Sequence, residues 1–143
     1  MIEALAEKVY SILGPGYNEC VYHNAMEVLL RQNGIAYETE RIVPIPFEGH
    51  IIGNLRADII IDKHTILELK AVKSINDSME CQAKNYLKLL NLSRAYLINF
   101  PQSPGSKVEI RCIEQLEEKT EASCSKNTLN VQNTLLDQTT PPL

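Results

Sequence analysis

Apolar residues recur at helical spacing in three segments of the chain. The segment Ile2 to Leu13 predicts a first helix, and about Asn18 to Gln32 predicts a second, with Asn18 as its N-cap and Gly34 just past its end. A third helix is predicted from the capping cluster Asn76-Asp77-Ser78 to about Leu90. The positions expected to be buried are Leu5, Val9 and Ile12 in the first helix, Val21, Ala25, Val28 and Leu29 in the second, and Met79, Ala83, Tyr86, Leu87 and Leu90 in the third.

Between the second and third helices, and again after the third, the pattern changes to that of extended strands. Tyr37 to Phe47 is extended, and its two prolines are typical of an edge or irregular strand. Ile51 to Ile61 and Thr65 to Val72 predict a hairpin, and Ala95 to Asn99 and Lys107 to Ile113 predict two short strands. The element order is therefore α-α-β-β-β-α-β-β, which indicates an α/β fold with a mixed sheet flanked by helices.

Composition divides the 143 residues into two parts. The first 113 residues carry the periodic segments and predict one folded domain. Residues 114–143 are rich in Glu, Thr, Ser, Asn and Gln and contain no aromatic residue. Such a segment buries too little apolar surface to offset its ordering entropy, so a disordered polar tail is predicted there.

Charge and targeting signals narrow the function classes. The net charge is −4, but residues 54–94 hold seven basic and five acidic side chains, so the middle of the chain is mildly basic and permits a nucleic-acid partner. No apolar run approaches the roughly 20 residues of a membrane span, and glutamates stand near the N-terminus where a signal peptide has lysines. The expected location is intracellular, in cytoplasm or nucleus, or in a virion, and neither secretion nor a membrane is expected. The cysteines form no CxxC motif, so zinc is not expected either.

The hairpin carries the most informative polar residues. If Asp62-Lys63-His64 form a three-residue loop, Ile61 pairs with Thr65, and Asp58 then lies opposite Glu68 on one face. Lys70 shares that face, whereas Ile59, Leu67 and Leu69 gather on the other and have a reason to be buried. A two-residue loop would separate the two carboxylates.

Two opposed carboxylates repel unless a cation lies between them, and either Lys70 or a divalent metal could be that cation. Oxygen ligands without His or Cys suit Mg²⁺ or Mn²⁺, and an adjacent lysine helps to position or deprotonate an attacking water. That layout suits phosphodiester hydrolysis. Taken alone, the same residues also fit an ordinary Asp/Glu/Lys ladder on an exposed hairpin face. The scattered histidines His23, His50 and His64 are expected to be solvated.

Neighbouring motifs resemble the GxxExxY family of the PD-(D/E)XK nuclease superfamily. The namesake motif stands here as Gly16-Tyr17-Asn18-Glu19-Cys20-Val21-Tyr22. The resemblance covers about residues 3 to 113 in order; its further segments are Val43-Pro44-Ile45-Pro46, Arg56-Ala57-Asp58, Glu68-Leu69-Lys70-Ala71-Val72, Gln82 with Tyr86-Leu87-Lys88, and Leu97-Ile98-Asn99-Phe100. It implies a restriction-endonuclease-like fold.

The resemblance also implies roles for individual residues. Asp58 and Glu68 match the metal-binding acids, the carbonyl of Leu69 completes the metal shell, and Lys70 matches the lysine that orients the attacking water. Alanine precedes Asp58 where the superfamily name has proline, at a position that varies in the superfamily.

Two helical residues complete the implied site. Glu19 resembles the glutamate that supports a metal or its waters, although it also fits a first-turn acid at a helix N-terminus. Gln82 resembles a glutamine beside the site in RecB-like nucleases, although it also fits a surface position. Tyr22 and Tyr86 are expected to pack, with their hydroxyls fixing neighbouring groups.

The combined expectation is a Mg²⁺- or Mn²⁺-dependent nuclease, with DNA favoured over RNA. Residues that could contact the nucleic-acid backbone are Arg56, Lys73, Lys84 and Lys88, although charges on a helix are usually solvated. The small size and weak basicity keep an alternative open, a nuclease-like module that binds nucleic acid or a protein without cutting. A homodimer or a partner protein is also left open.

Overall fold

The structure is a computed structural model that describes residues 1–115, so the predicted tail beyond Gln115 lies outside the described residues. Eight elements follow one another in the predicted order. They are α1 (Ile2–Leu13), α2 (Glu19–Gln32), β1 (Tyr37–Phe47), β2 (His50–Ile61), β3 (Thr65–Lys70), α3 (Asp77–Leu90), β4 (Arg94–Asn99) and β5 (Glu109–Glu114). Within residues 1–115, no helix has the length and apolar character that a bilayer span requires.

The five strands form one mixed sheet in the order β1-β2-β3-β4-β5. Neighbouring strands are antiparallel except β3 and β4, which run parallel and are joined through α3. A parallel pair needs such a crossover, because a tight turn would reverse the chain direction. The predicted mixed α/β fold is therefore confirmed.

Helices cover both faces of the sheet and bury a separate apolar cluster on each. Helices α1 and α2 pack over Ile59, Ile61, Leu67 and Leu69 on one face, and α3 packs over Ile60, Ile66 and Leu97 on the other. Continuous apolar runs in β2 and β3 follow from this, because both strand faces are buried.

The predicted buried face is right for α3 but wrong for α2. Ala83, Tyr86 and Leu87 of α3 are buried as expected. In α2 the residues buried most deeply are Tyr22, Met26, Leu29 and Leu30, whereas Val28 is 42% exposed. The physical reason is the Tyr22 ring, which stacks on Phe100 with 4.5 Å between centroids and 5° between planes and so fixes the rotation of the helix. In α1, Ile12 is also exposed rather than buried.

The β2–β3 hairpin has the predicted register. Ile61 pairs with Thr65, Ile60 with Ile66 and Ile59 with Leu67, which leaves a three-residue loop. Asp62 and Lys63 in that loop have φ angles of 49° and 60°, the left-handed conformation that reverses the chain in so few residues. The two-residue alternative is thereby excluded.

The β1–β2 ladder is interrupted at Asp58. Pairs continue on both sides of this point, from Thr39 with Ile59 to Arg41 with Ala57, but Glu40 and Asp58 are not paired. Glu40 has a φ of 55°, an uncommon conformation for a non-glycine residue inside a strand. The sheet is thus distorted on both sides of Asp58, because β3 also leaves β2 there.

Candidate active site

The site lies where β2 and β3 separate. Their backbone pairing ends at Ile59 and Leu67. Beyond this last pair, the Leu69 N–H donates to Oδ2 of Asp58 at 2.8 Å instead of to a strand carbonyl. The Asp58 carboxylate therefore lies in the gap between the strands, held by the backbone next to Glu68 and Lys70.

Glu68 is a buried carboxylate with an unused oxygen. It is only 3% exposed, and its Oε1 has no hydrogen-bond partner within the described residues. Burial and, after it, the charge of Asp58 raise the pKa of Glu68 to about 8, against the lowering effect of Lys70. Because an unpaired buried carboxylate is costly, this position favours a proton or a metal ion.

Asp58 and Glu19 share this electrostatic environment. Burial raises the pKa of Asp58, although the Leu69 N–H and the charge of His23 lower it. Burial also raises the pKa of Glu19, and the charge of Asp58 adds to it, whereas Lys70 lowers it. The three acids are therefore close enough for their charges to interact, with Lys70 as a shared counter-charge.

The donor set fits a hard divalent cation of low protein coordination. Asp58 and Glu68 supply carboxylate oxygens, the ligand type that Mg²⁺ and Mn²⁺ prefer. Residues 1–115 contain no group of three or more His, Cys, Asp or Glu side chains arranged to hold a metal. Such a site resembles those in which one or two carboxylates bind Mg²⁺ and water and substrate oxygens complete the shell.

The loop before α2 fixes the position of Glu19. The Tyr22 hydroxyl donates to the Gly14 carbonyl at 2.7 Å and accepts the Tyr17 N–H at 3.4 Å. Gly16, with a φ of 107°, donates its N–H to Gln102 Oε1, and Gln102 Nε2 donates to the Tyr17 carbonyl. The hydroxyl of Tyr22 thus fixes a neighbour, as expected.

Asn99 fixes the chain that follows Lys70, as Tyr22 and Gln102 fix the loop before α2. It is fully buried, and its side chain makes a two-way clamp on Val72: Oδ1 accepts the Val72 N–H at 2.9 Å, and Nδ2 donates to the Val72 carbonyl at 3.0 Å. The Val72 N–H and carbonyl are occupied by this clamp and do not pair with a neighbouring strand. Strand β3 therefore ends at Lys70, whereas the sequence predicted that it ends at Val72. The clamp holds the chain that leaves the site.

Helix α3 reaches the site through Tyr86. Its buried hydroxyl donates to the Arg56 carbonyl at 2.8 Å, and burial together with the charge of Glu68 raises its pKa to about 12. The expectation that Tyr86 packs and fixes a neighbour is therefore met. Gln82 lies one turn earlier on α3 and is half-buried.

The predicted nucleic-acid contacts divide into two groups. Arg56 is exposed, and its charge lowers the pKa of both Asp58 and Glu19, so it lies beside the acids. Lys73, Lys84 and Lys88 are exposed on the loop after β3 and on α3. The expectation that His23 is solvated is wrong, because its side chain is only 14% exposed and its Nε2 lies 3.3 Å from Glu27 Oε2.

Sequence reasoning did not single out Asn99 or Gln102 as residues that support the site. A signal was present for Asn99, because it is the one polar residue in the run Leu97 to Phe100. For Gln102 the local sequence offers none, since it stands in a polar Pro/Gly/Ser loop.

Comparison with known proteins agrees with this fold. The family profile of the PD-(D/E)XK nuclease superfamily matches residues 1–113, and the chain therefore belongs to that superfamily. No curated protein matches the chain.

Two solved structures are similar to this one. The crystal structure of SSO0001 has a TM-score of 0.53 and 25% sequence identity, and the match covers 80% of this chain and 58% of that one. The present chain thus spans less than two thirds of that relative. An alkaline exonuclease from Laribacter hongkongensis matches with a TM-score of 0.38 and 10% identity, over 93% of this chain and 90% of that one.

Proposed function

We propose that the protein is a divalent-metal-dependent nuclease of the GxxExxY branch, which hydrolyses phosphodiester bonds in nucleic acid, with DNA preferred over RNA. Superfamily membership over residues 1–113 supports the reaction class. Residues 1–113, which the superfamily profile matches, would be the catalytic domain, with residues 114–143 as an appended polar segment.

The observation that carries the proposal is the buried carboxylate of Glu68. Its Oε1 has no partner within residues 1–115, and its nearest charged neighbours are the acids Asp58 and Glu19 and the cation Lys70. An exposed surface ladder, the alternative to a metal site, does not bury an acid to 3% exposure. A divalent cation would satisfy this oxygen and offset the repulsion between the acids.

Asp58, Glu68 and the backbone carbonyl of Leu69 would hold the ion, which is Mg²⁺ or Mn²⁺. When bound, such an ion polarises the phosphate and lowers the pKa of water. Leu69 contributes twice, because its N–H already orients the Asp58 carboxylate.

Lys70, Glu19 and Gln82 would act around these ligands. Lys70 orients the attacking water and offsets negative charge that builds on the phosphate. Glu19 would support the metal or its waters. Gln82, half-buried on α3, would lie beside the site. Arg56 contacts a phosphate beside Asp58, and Lys73, Lys84 and Lys88 form a weaker rim.

The experiment is a cleavage assay with Mg²⁺, Mn²⁺ or EDTA on labelled single-stranded, duplex and branched DNA and on RNA. The variant Lys70→Ala removes the amine, and Glu68→Gln removes the charge while it keeps the size of the side chain. Circular dichroism checks that both variants fold. Lys8→Ala, at an exposed position of α1, is the matched control. We expect cutting that needs metal, falls at least about a hundredfold in both site variants and is unchanged in the control.

Absence of cutting on every substrate, together with equal Mg²⁺ binding by wild type and Glu68→Gln, would contradict the nuclease proposal. The protein would then be a nuclease-fold module that binds without cutting. RNA cut faster than DNA would overturn the substrate preference alone.

A further inference from the structure

A groove runs from Asp58 along α2. One wall is a single face of that helix, and the other is formed by the distorted part of β1 and β2. The helix contributes Glu19, Cys20, His23, Asn24 and Glu27, and the strands contribute Thr39, Glu40, Arg56 and Asp58.

The groove opens because the sheet is distorted there. Glu40 and Asp58 are unpaired, and the left-handed φ of 55° at Glu40 bends β1 at the point where it faces α2. Backbone conformations of this kind cluster at functional sites, since the surrounding structure has to hold them. Asp58 is thus both a candidate metal ligand and the end wall of the groove.

The size of the groove suits part of one nucleic-acid strand. Its volume is about 480 Å³, within the range of small-molecule sites. From Glu19 to Glu27 the helical wall is about 12 Å long, at 1.5 Å per residue. A duplex does not fit in this volume, because its major groove alone is about 12 Å wide and about 8.5 Å deep.

The lining favours a base and sugar over a phosphate. Glu40 is exposed and would repel a phosphate, whereas Glu27 already lies within ion-pair distance of His23 and Arg31. The positive charge of Arg56 lies at the Asp58 end, where the scissile phosphate would be. Asn24, Thr39 and the carboxylates offer hydrogen-bond acceptors to the amino and imino groups of a base. Those groups are occupied when a base is paired in a duplex.

We propose that this groove holds an unpaired nucleotide next to the scissile phosphate, so that single-stranded or frayed DNA is the preferred substrate. The inference rests on the proposed nuclease function, because Asp58 is taken as part of the metal site. It adds the substrate class, which superfamily membership leaves open.

Binding to DNA tests the inference separately from cutting. Fluorescence anisotropy with Mg²⁺ is measured in a Lys70→Ala background, using a short single-stranded DNA and a blunt duplex of the same sequence. Asn24→Trp fills the groove from an exposed helical position, and Asn24→Leu removes only the amide. Ala4→Trp is the control, at an exposed position of α1 that does not line the groove.

We expect the single strand to bind at least about tenfold more tightly than the duplex, and Asn24→Trp to lose about tenfold for the single strand. Asn24→Leu should lose less, and Ala4→Trp nothing. Equal binding of duplex and single strand, or wild-type affinity in Asn24→Trp, would overturn the inference even if the enzyme cuts. Groove-dependent binding by a wild type that cuts no substrate would instead overturn the nuclease proposal and leave the groove assignment standing.

Discussion

Glu68 shows what distinguishes this site from the rest of the molecule. Two other acids are paired with arginines: Glu80 accepts from Arg111 at 2.6 Å, and Glu114 accepts from Arg94 at 2.9 Å. Glu68 is more buried than either, yet its Oε1 has no partner within residues 1–115. A buried carboxylate without a partner destabilises the fold by several kcal/mol unless it is neutralised. Either a proton or a bound cation can neutralise this group.

We expect the metal-free protein to lose stability as the pH rises from about 5 to about 8. The pKa of Glu68 is about 8 in the folded protein and 4.5 ordinarily, so in this window the unfolded chain holds fewer protons than the folded one. The contribution is therefore fully present below pH 4.5 and is lost as the pH approaches 8. The raised pKa values of Asp58 and Glu19 act in the same direction. The loss should be a few kcal/mol.

Thermal unfolding in EDTA across this pH range measures the effect. Glu68→Gln should flatten the pH dependence, and Mg²⁺ should stabilise the wild type at pH near 8 but not this variant. Glu7→Gln, at an exposed position of α1, is the control. A Glu68→Gln profile as steep as that of the wild type would show that this carboxylate is not the group responsible.

The sequence located these residues because strand alternation and the apolar pattern agreed on one hairpin register. Asp58, Glu68 and Lys70 followed from that register, which the structure has. The sequence could not predict that β2 and β3 separate at Asp58, since a strand pattern describes which faces are buried but not where backbone pairing stops. The unpartnered oxygen of Glu68 follows from that separation.

The loop between α1 and α2 brings Glu19 to the candidate site. The loop contains glycines and is held by one hydroxyl, that of Tyr22, and by the side chain of Gln102. Because Tyr22 is anchored by its stack on Phe100, the hydroxyl is a fixed point to which the loop attaches. The position of α2 and the position of Glu19 therefore depend on the same residue.

Tyr22→Phe should keep the stack and remove only this attachment. The loss of the buried hydrogen bond to the Gly14 carbonyl should lower stability by about 1 kcal/mol. Cleavage should fall several-fold more than stability explains, because Glu19 is displaced while Asp58, Glu68 and Lys70 stay in place. Urea unfolding and steady-state cleavage below the unfolding transition measure the two effects.

Tyr37→Phe is the matched control for that substitution. Its hydroxyl accepts from Arg31 at an exposed position, so stability and cleavage should both change little. If Tyr22→Phe lost stability but cleaved like the control, the loop would be structural only, and Glu19 would not be positioned through it.

The order of the eight elements could be predicted because each has its own period and breakers. The rotation of α2 could not. Its periodicity predicted Val21, Ala25, Val28 and Leu29 as the buried stripe, and of these only Leu29 is buried. The contact that decides the rotation is with Phe100, a residue distant in sequence. Tertiary contacts of this kind override local periodicity.

In the whole molecule, the parallel pair β3–β4 brings the chain back beside the site. Lys70 pairs with Asn99 at the end of both strands, so the end of β4 and the loop after it supply Asn99 and Gln102 to the two loops that frame the acids. Short-range patterns predict strands but not this neighbour relation.

A chain that ends after Gln115 should therefore fold and cut like the full-length protein. This truncation keeps β5 and the hydrogen bond from the Gln115 N–H to the Ser93 carbonyl. Truncation after Ile113 would remove that hydrogen bond. Residues 116–143 carry four acidic and two basic side chains, so their removal makes the protein less negative and should not weaken DNA binding. Thermal unfolding and DNA cleavage of both chains test this. A truncated chain that folds but no longer cuts would mean that residues 116–143 contribute to the site, and that the catalytic unit extends beyond the matched domain.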